Sequence, residues 1–280
     1  ASTGVIGRQL PIDKIVSGIK GVKHTLSKEG DFAEAILTTD TFKKEICVEA
    51  NGFKIAACAK GAGMICPNMA TMLAFIITNA SISSDNLQKM LVKSVNKSFN
   101  MVNVDMDTST SDMAIVLANG LAGKVDEIKF QDALDIVCIE LAKMVAKDGE
   151  GATKLIISEV VNAKSDDDAR KIAKSIVNSN LIKCAVYGND PNWGRIMCAI
   201  GNSKAKMIDE EKIKIWINDE PIVSCGKAAD DFDERKLSGI LKANNEIRIN
   251  IDIGLGESRA TAYGCDMTEK YVKINAEYMT

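Results

Sequence analysis

The segment Lys60-Gly61-Ala62-Gly63-Met64-Ile65-Cys66-Pro67-Asn68-Met69-Ala70-Thr71-Met72-Leu73 decides how this chain is read. Two glycines, a proline and a lysine form a turn that runs straight into Leu73-Ala74-Phe75-Ile76-Ile77. That apolar run has no polar alternation, which predicts a strand buried on both faces. The turn fails as a phosphate loop, because its lysine precedes the glycines and no Gly-Lys-Ser/Thr follows. It also fails as a dinucleotide fingerprint, lacking a third glycine and a preceding strand. Its simplest meaning is a glycine-rich turn entering a core strand.

A sharper meaning attaches to Ala70-Thr71. A threonine hydroxyl is a poor nucleophile without an adjacent base, and the chain has one histidine, His24, in the polar stretch Lys20-Gly21-Val22-Lys23-His24-Thr25. A ready base is the α-amino group of Thr71 itself, which exists only once the Ala70-Thr71 bond is cut. With a reference pKa of about 7.7 to 8.0, roughly a tenth to a fifth of such an amine is neutral at pH 7. Ala70 leaves room for the hydroxyl to reach the preceding carbonyl, and β-branching limits its rotamers.

Around this segment lies an ordinary globular composition. The 280 residues are ample for a buried core, as one large domain or two modest ones. Hydrophobic residues at 46% and charged residues at 26% exclude a disordered or collagen-like chain. The net charge of -3 argues against nucleic acid as the main partner. No apolar run reaches the roughly 18 to 20 residues that a bilayer requires, and no secretory signal opens the chain, so a cytoplasmic protein is expected. The eight cysteines never form a CxxC pair and read as reduced core thiols. A single histidine excludes multi-histidine metal sites, and no metal is expected. The chain starts with Ala1-Ser2-Thr3-Gly4-Val5-Ile6-Gly7, which reads like the interior of a longer polypeptide.

Helices and strands are interspersed, which predicts a layered α/β or α+β helix–sheet sandwich. Leu87, Leu91, Val95 and Phe99 recur every four residues after Ser83-Ser84-Asp85, and Phe130, Leu134, Val137, Leu141 and Val145 mark a second helix ending at Asp148-Gly149. Further helices are predicted near Asp168 to Val177 and Asp233 to Leu241. Strands are predicted over Lys154 to Val161, Lys183 to Tyr187, Lys212 to Ile217 and Ile247 to Ile253.

The order Lys-Gly-x-Gly-Met-x-x-Pro-x-Met-Ala-Thr-Met-Leu closely resembles the self-cleavage site of the ornithine acetyltransferase family, the bifunctional glutamate N-acetyltransferase/amino-acid acetyltransferases of arginine biosynthesis. Other segments resemble the same family: Ser2 to Gly7, Thr38-Thr39-Asp40-Thr41, Asp107-Thr108-Ser109-Thr110, Asp148-Gly149-Glu150-Gly151-Ala152-Thr153-Lys154, Asn189-Asp190-Pro191-Asn192-Trp193-Gly194-Arg195, and Asn275-Ala276-Glu277-Tyr278-Met279-Thr280. Each is weak alone; their order from residue 2 to residue 280 makes the resemblance strong.

The resemblance implies an autocatalytic N-terminal-threonine enzyme, cut between Ala70 and Thr71. Residues 1–70 would be the C-terminal part of one chain, with its upstream segment missing, and residues 71–280 the second chain. It implies a ping-pong transfer of acetyl from N2-acetylornithine to glutamate through acetyl-Thr71, with Thr3 and Gly4 at the oxyanion-hole positions. It implies substrate contacts from Lys60, Glu150, Asn275, Thr280, Thr71 and one of Thr38 and Thr39. No bound cofactor is implied, although some members use acetyl-CoA as donor, and a homo-oligomer of two-chain units is expected.

The chemistry suits these residue types. Ornithine and glutamate share a head, but one tail is cationic and the other anionic. Lys60 can hold a carboxylate and Glu150 an ammonium, while Asn275 and Thr280 tolerate either sign. A rival is an amidohydrolase or aminopeptidase of the same autocatalytic architecture, with water as acceptor; another is an inactive fragment. The remaining candidates read as structural. Asp107 to Asp112 suits a turn or helix cap, Asp166-Asp167-Asp168 favours a helix start, and Met72, Met90 and Met101 belong in the core. Trp193 and Arg195 either line the pocket or fix a loop.

Overall fold

The computed structural model describes residues 1, 3, 7–22, 31–66 and 72–277. Within them the chain runs α1 (Ile12–Val22), α2 (Phe32–Ala35), β1 (Lys44–Ala50), β2 (Phe53–Lys60), β3 (Leu73–Thr78), α3 (Ser84–Lys97), β4 (Val102–Asn103), β5 (Met113–Ala118) and α4 (Glu127–Lys147). It continues through β6 (Leu155–Ala163), α5 (Asp166–Asn178), α6 (Asn180–Gly188), α7 (Trp193–Asn202), β7 (Lys214–Ile217), β8 (Glu220–Ser224), β9 (Lys227–Ala228), α8 (Glu234–Ala243), β10 (Glu246–Asp252), β11 (Ser258–Cys265) and α9 (Glu269–Glu277). The result is the expected layered helix–sheet sandwich.

In the first sheet, ordered β1-β2-β3-β5, the first three strands are antiparallel and β5 runs parallel to β3. Phe53, Ile55, Ala57 and Ala59 alternate along β2 and are buried, and β2 packs on α4, where the Phe53 and Phe130 rings lie 5.3 Å apart. The second sheet, ordered β4-β11-β6-β10-β7-β8-β9, sets β6 and β10 parallel at its centre. The helix α5 covers β6 and β11, while α4 touches β1 and β2 of one sheet and β11 and β6 of the other. One apolar helix therefore joins both sheets, and Phe130, Leu134, Val137 and Leu141 along it are wholly buried.

A buried ion cluster supplements this packing. Lys44, at the start of β1, places its ammonium 2.5 Å from Asp40 and 2.5 Å from Asp148, with all three side chains at most 2% exposed. Asp148 also caps the end of α4 and accepts hydrogen bonds from the Thr41 amide and hydroxyl.

The helices predicted near residues 87, 130, 168 and 233 all form, with Ser83, Asp126, Ser165 and Asp233 as N-caps. Asp166, Asp167 and Asp168 fill the first turn of α5, and Met72, Met90 and Met101 lie in the core. Four expectations change. The residues from Lys183 to Tyr187 lie in the helix α6, whose ends are set by Ser179 as N-cap and Asn189 in the left-handed conformation; a short apolar run carries no period of its own. β3 is only partly covered on its second face, where Leu73 is buried and the Phe32 ring stacks on half-buried Phe75, 4.9 Å away, but Ile77 is 56% exposed. A strand, β2, does precede the glycine turn. All eight cysteines are free, but only Cys58, Cys138 and Cys265 are buried.

Two substitutions test these supports by denaturant unfolding. Phe130→Ala removes the ring that seats α4 on β2 and should cost about 3 to 5 kcal/mol. Lys44→Met leaves two buried carboxylates facing each other and should cost about 3 to 5 kcal/mol, far more than cutting any exposed ion pair.

Candidate active site

The end of β2 and the following turn are held by Asp40. Its carboxylate accepts the Gly61 amide at 2.7 Å and the Thr38 amide at 3.3 Å, besides the Lys44 ammonium. Burial pushes the Asp40 carboxyl up, but the Gly61 amide and Lys44 outweigh it and hold the group below its ordinary range. Lys60 is thereby fixed at the mouth of the turn, 3% exposed, with its ammonium donating to the Thr38 hydroxyl at 2.9 Å. Of the two neighbouring threonines, Thr38 is the one Lys60 reaches. Burial lowers the Lys60 pKa, and the carboxylates of Asp40, Asp112 and Glu150 pull it back up. A partly dehydrated ammonium gains more from meeting a carboxylate than one already in water.

Glu150 approaches the same turn from the end of α4. Its amide donates to the Ala62 carbonyl at 2.9 Å, and its carboxylate lies so close over Gly63 that a Cβ there would stand 2.4 Å from it. Only glycine permits that approach. A second glycine, Gly151, has φ +74° and leaves room for α9, since a Cβ would meet the Tyr271 amide at 2.6 Å. With α9 drawn in, the Asn275 side-chain amide donates to Glu150 Oε2 at 2.8 Å. The cation of Lys60, the anion of Glu150 and the amide of Asn275 thus flank the turn that leads toward Thr71.

Asp105 steadies the far side of the turn, accepting the Met64 and Ile65 amides at 2.7 and 3.0 Å. Burial raises its carboxyl, and these amides pull the other way. The Thr108 hydroxyl donates to the Cys66 carbonyl at 3.0 Å. Sequence reading did not single out Asp40, Lys44, Asp105 or Asp112 for the site, although Asp40 stands in the quoted Thr38-Thr39-Asp40-Thr41 and Asp112 ends the stretch taken for a turn. Asp112 sits just before β5, where the Met113 amide donates to the Met72 carbonyl at 2.8 Å. Both its carboxylate oxygens are buried, and the Met72 backbone amide acts on the carboxyl as a hydrogen-bond donor.

Gly4, Ala70, Thr71 and Thr280 lie outside the described residues, as does His24. Thr3 is exposed, and no hydrogen bond among the described residues joins it to Lys60, Glu150 or Asn275. Thr39 is half-buried. Arg195, in α7, donates to the Leu181 carbonyl of α6 at 2.7 Å and so ties two helices together. Lys154, in the Glu150 loop motif, donates to the Val186 and Leu241 carbonyls at 3.2 and 2.6 Å, tying the ends of α6 and α8. The hollow on the open face of the first sheet is lined mainly by apolar side chains such as Phe32, Phe75, Ile77 and Leu117, with Asp31, Glu45 and Cys47 also on its wall. Among the described residues no cluster of three or more His, Cys, Asp or Glu is placed to hold a metal, and no helix is long and apolar enough to cross a membrane.

Comparison with known proteins gives the family. The chain is 49% identical to arginine biosynthesis bifunctional protein ArgJ 1 of Clostridium acetobutylicum, over 99% of this chain and 72% of that protein. It is also 49% identical to the ArgJ of Staphylococcus aureus strain Mu50, over 100% of this chain and 70% of that one. The crystal structure of the arginine biosynthesis bifunctional protein argJ from Bacillus halodurans superposes with a TM-score of 0.72 at 42% identity, covering 74% of this chain and all of that one. The ArgJ family profile matches residues 1–280, and with relatives of this closeness the chain belongs to the ArgJ family.

Proposed function

We propose that this chain is a self-processing acetyltransferase of arginine biosynthesis, moving acetyl from N2-acetylornithine to glutamate through an acetyl-Thr71 intermediate. The observation that carries this reading is the pairing of a buried lysine and a carboxylate across one glycine turn, with Lys60 beside Thr38 and Glu150 beside Asn275. Substrates with a common amino-acid head and tails of opposite sign call for a pocket of both signs.

In the first step the Thr71 hydroxyl attacks the Ala70 carbonyl, the amide nitrogen leaves as the amine, and water hydrolyses the resulting ester. The new α-amine then takes the hydroxyl proton as Thr71 attacks the acetyl group of acetylornithine. Ornithine departs with that proton, and the amine of glutamate takes the acetyl from the ester. Thr3 and Gly4 fit the two oxyanion donors, one hydroxyl and one backbone N–H. Thr38, Lys60, Glu150, Asn275 and Thr280 hold the substrates. The sequence of steps needs no metal or organic cofactor, and acetyl-CoA fits as a second acetyl donor. We place the enzyme in the cytoplasm as a homo-oligomer of two-chain units.

Glutamate should accelerate ornithine release from N-acetylornithine; a hydrolase would be indifferent to it. Glu150→Gln should raise KM for N-acetylornithine about 10- to 150-fold, the equivalent of about 1.5 to 3 kcal/mol for a charge-assisted contact, and affect glutamate less. Equal losses for both substrates would mean that Glu150 is only structural. Thr3→Val should lower turnover about 100- to 1,000-fold at nearly constant KM. Thr71→Ala should stay a single uncut chain without transfer. Acetylation of wild type without glutamate should add one acetyl mass to the fragment starting at Thr71, and acetyl on Cys66 instead would overturn the assignment.

A further inference from the structure

We infer that Asp105 is a positioning residue that aims Glu150 at the cationic tail of N-acetylornithine, by holding the glycine turn beneath the Glu150 carboxylate. This rests on the reading of Glu150 proposed above and adds a specificity-determining residue to it.

The inference starts from a carboxylate spent on backbone. Asp105 Oδ2 accepts the Met64 amide at 2.7 Å, and Oδ1 accepts the Ile65 amide at 3.0 Å and the Asp107 amide at 3.2 Å. Successive backbone N–H groups that converge on one anion form a nest, and the anion fixes the dihedral angles that let them converge. One of those angles is unfavourable: Met64 has φ +53°, in the left-handed region that a side chain disfavours. Hydrogen bonds to an ionised acceptor are stronger than neutral ones, so Asp105 can hold Met64 where its own preference would not.

The residue before Met64 is the one on which Glu150 rests. A Cβ at Gly63 would stand 2.4 Å from the Glu150 carboxylate. That carboxylate is steadied by the Asn275 side-chain amide on Oε2 at 2.8 Å and by the backbone floor at Gly63. If Met64 relaxed to a right-handed or extended φ, the peptide between Gly63 and Met64 would turn and the floor would move. Asp105 is also felt at α9, whose Tyr271 carbonyl accepts the Asn275 amide at 3.1 Å. Burial raises the pKa of the Tyr271 phenol, and Asp105, Asp107 and Glu150 raise it further.

The rest of the turn has other anchors. Lys60 is set from the opposite end by Thr38 and by Asp40, which holds the Gly61 amide. The Ile65 carbonyl accepts the Val104 amide at 2.6 Å, and the Cys66 carbonyl accepts the Thr108 hydroxyl at 3.0 Å. A chain with a neutral residue at position 105 keeps all of these bonds. What it loses is the hold on Met64, and with it the aim of Glu150 rather than the cation of Lys60.

The test measures KM and kcat for N-acetylornithine and for glutamate on the processed full-length enzyme, with folding checked by circular dichroism and cleavage by mass spectrometry. Asp105→Asn exchanges one acceptor oxygen for a donor; it should raise KM for N-acetylornithine about tenfold, with kcat and KM for glutamate within about twofold of wild type. Glycine adopts a left-handed φ without a side-chain penalty, so adding Met64→Gly should recover most of that loss. A merely structural Asp105 predicts the reverse, since glycine would loosen the turn further. Combined with Glu150→Gln, Asp105→Asn should weaken N-acetylornithine no more than Glu150→Gln does alone, because both act through one carboxylate. Equal KM losses for both substrates, additive losses in the double variant, or a folded Asp105→Asn chain that stays uncut would overturn this inference and leave the Glu150 reading standing. Should Asp105→Asn not fold, Asp105→Glu keeps the charge but displaces it: a loss selective for N-acetylornithine supports the inference, and an unselective or absent loss overturns it. If Glu150→Gln itself weakened both substrates equally, the Glu150 reading and this inference would fall together.

Discussion

The site depends on one lysine being sealed between two aspartates. Asp40 and Asp148 come from distant parts of the sequence, and two carboxylates buried this close to one another call for a cation between them. With Lys44 between them, each carboxylate spends its remaining lone pairs on backbone. Asp40 spends them on Gly61 and Thr38, which sets Lys60; Asp148 spends them on Thr41 and closes α4 two residues before Glu150. The positions of the two oppositely charged recognition groups are therefore referred to a single ammonium. Such an arrangement costs desolvation and supplies position, which is the use a buried ion cluster serves better than an apolar one.

Close backbone approach does the rest. Gly63 lets the Glu150 carboxylate rest over the turn, and Gly151 lets α9 come near enough for Asn275 to hold it. Neither contact would survive a side chain at the glycine without backbone movement. Lys60 meanwhile stays nearly free of water, so its interaction with an incoming carboxylate is less screened than at an exposed lysine.

The sequence made some of this legible and hid the rest for physical reasons. Helices α3 and α4 showed because four-residue spacing and capping residues agree over several turns. β2 did not, because Ala56, Ala57, Cys58 and Ala59 carry little strand propensity between its lysines, and its burial comes from α4. Glu150, Lys60 and Asn275 were legible through the family resemblance; nothing in their local spacing says that one glycine turn brings them together. Asp112 was read as part of a polar turn, since an acid in a Ser/Thr-rich stretch looks solvated. Its burial appears only when β5 pairs with β3, a register that local sequence does not encode.

The described geometry also bears on what cleavage has to accomplish under the proposed mechanism. Among the described residues, the hydrogen bonds that set Lys60, Thr38, Glu150 and Asn275 run among residues 38–66, 148–151 and 271–275. What changes is one nitrogen, from an amide that cannot take a proton to an amine that can. A chain with a single histidine, and that one in a polar stretch, has few other ways to place a base beside a threonine hydroxyl.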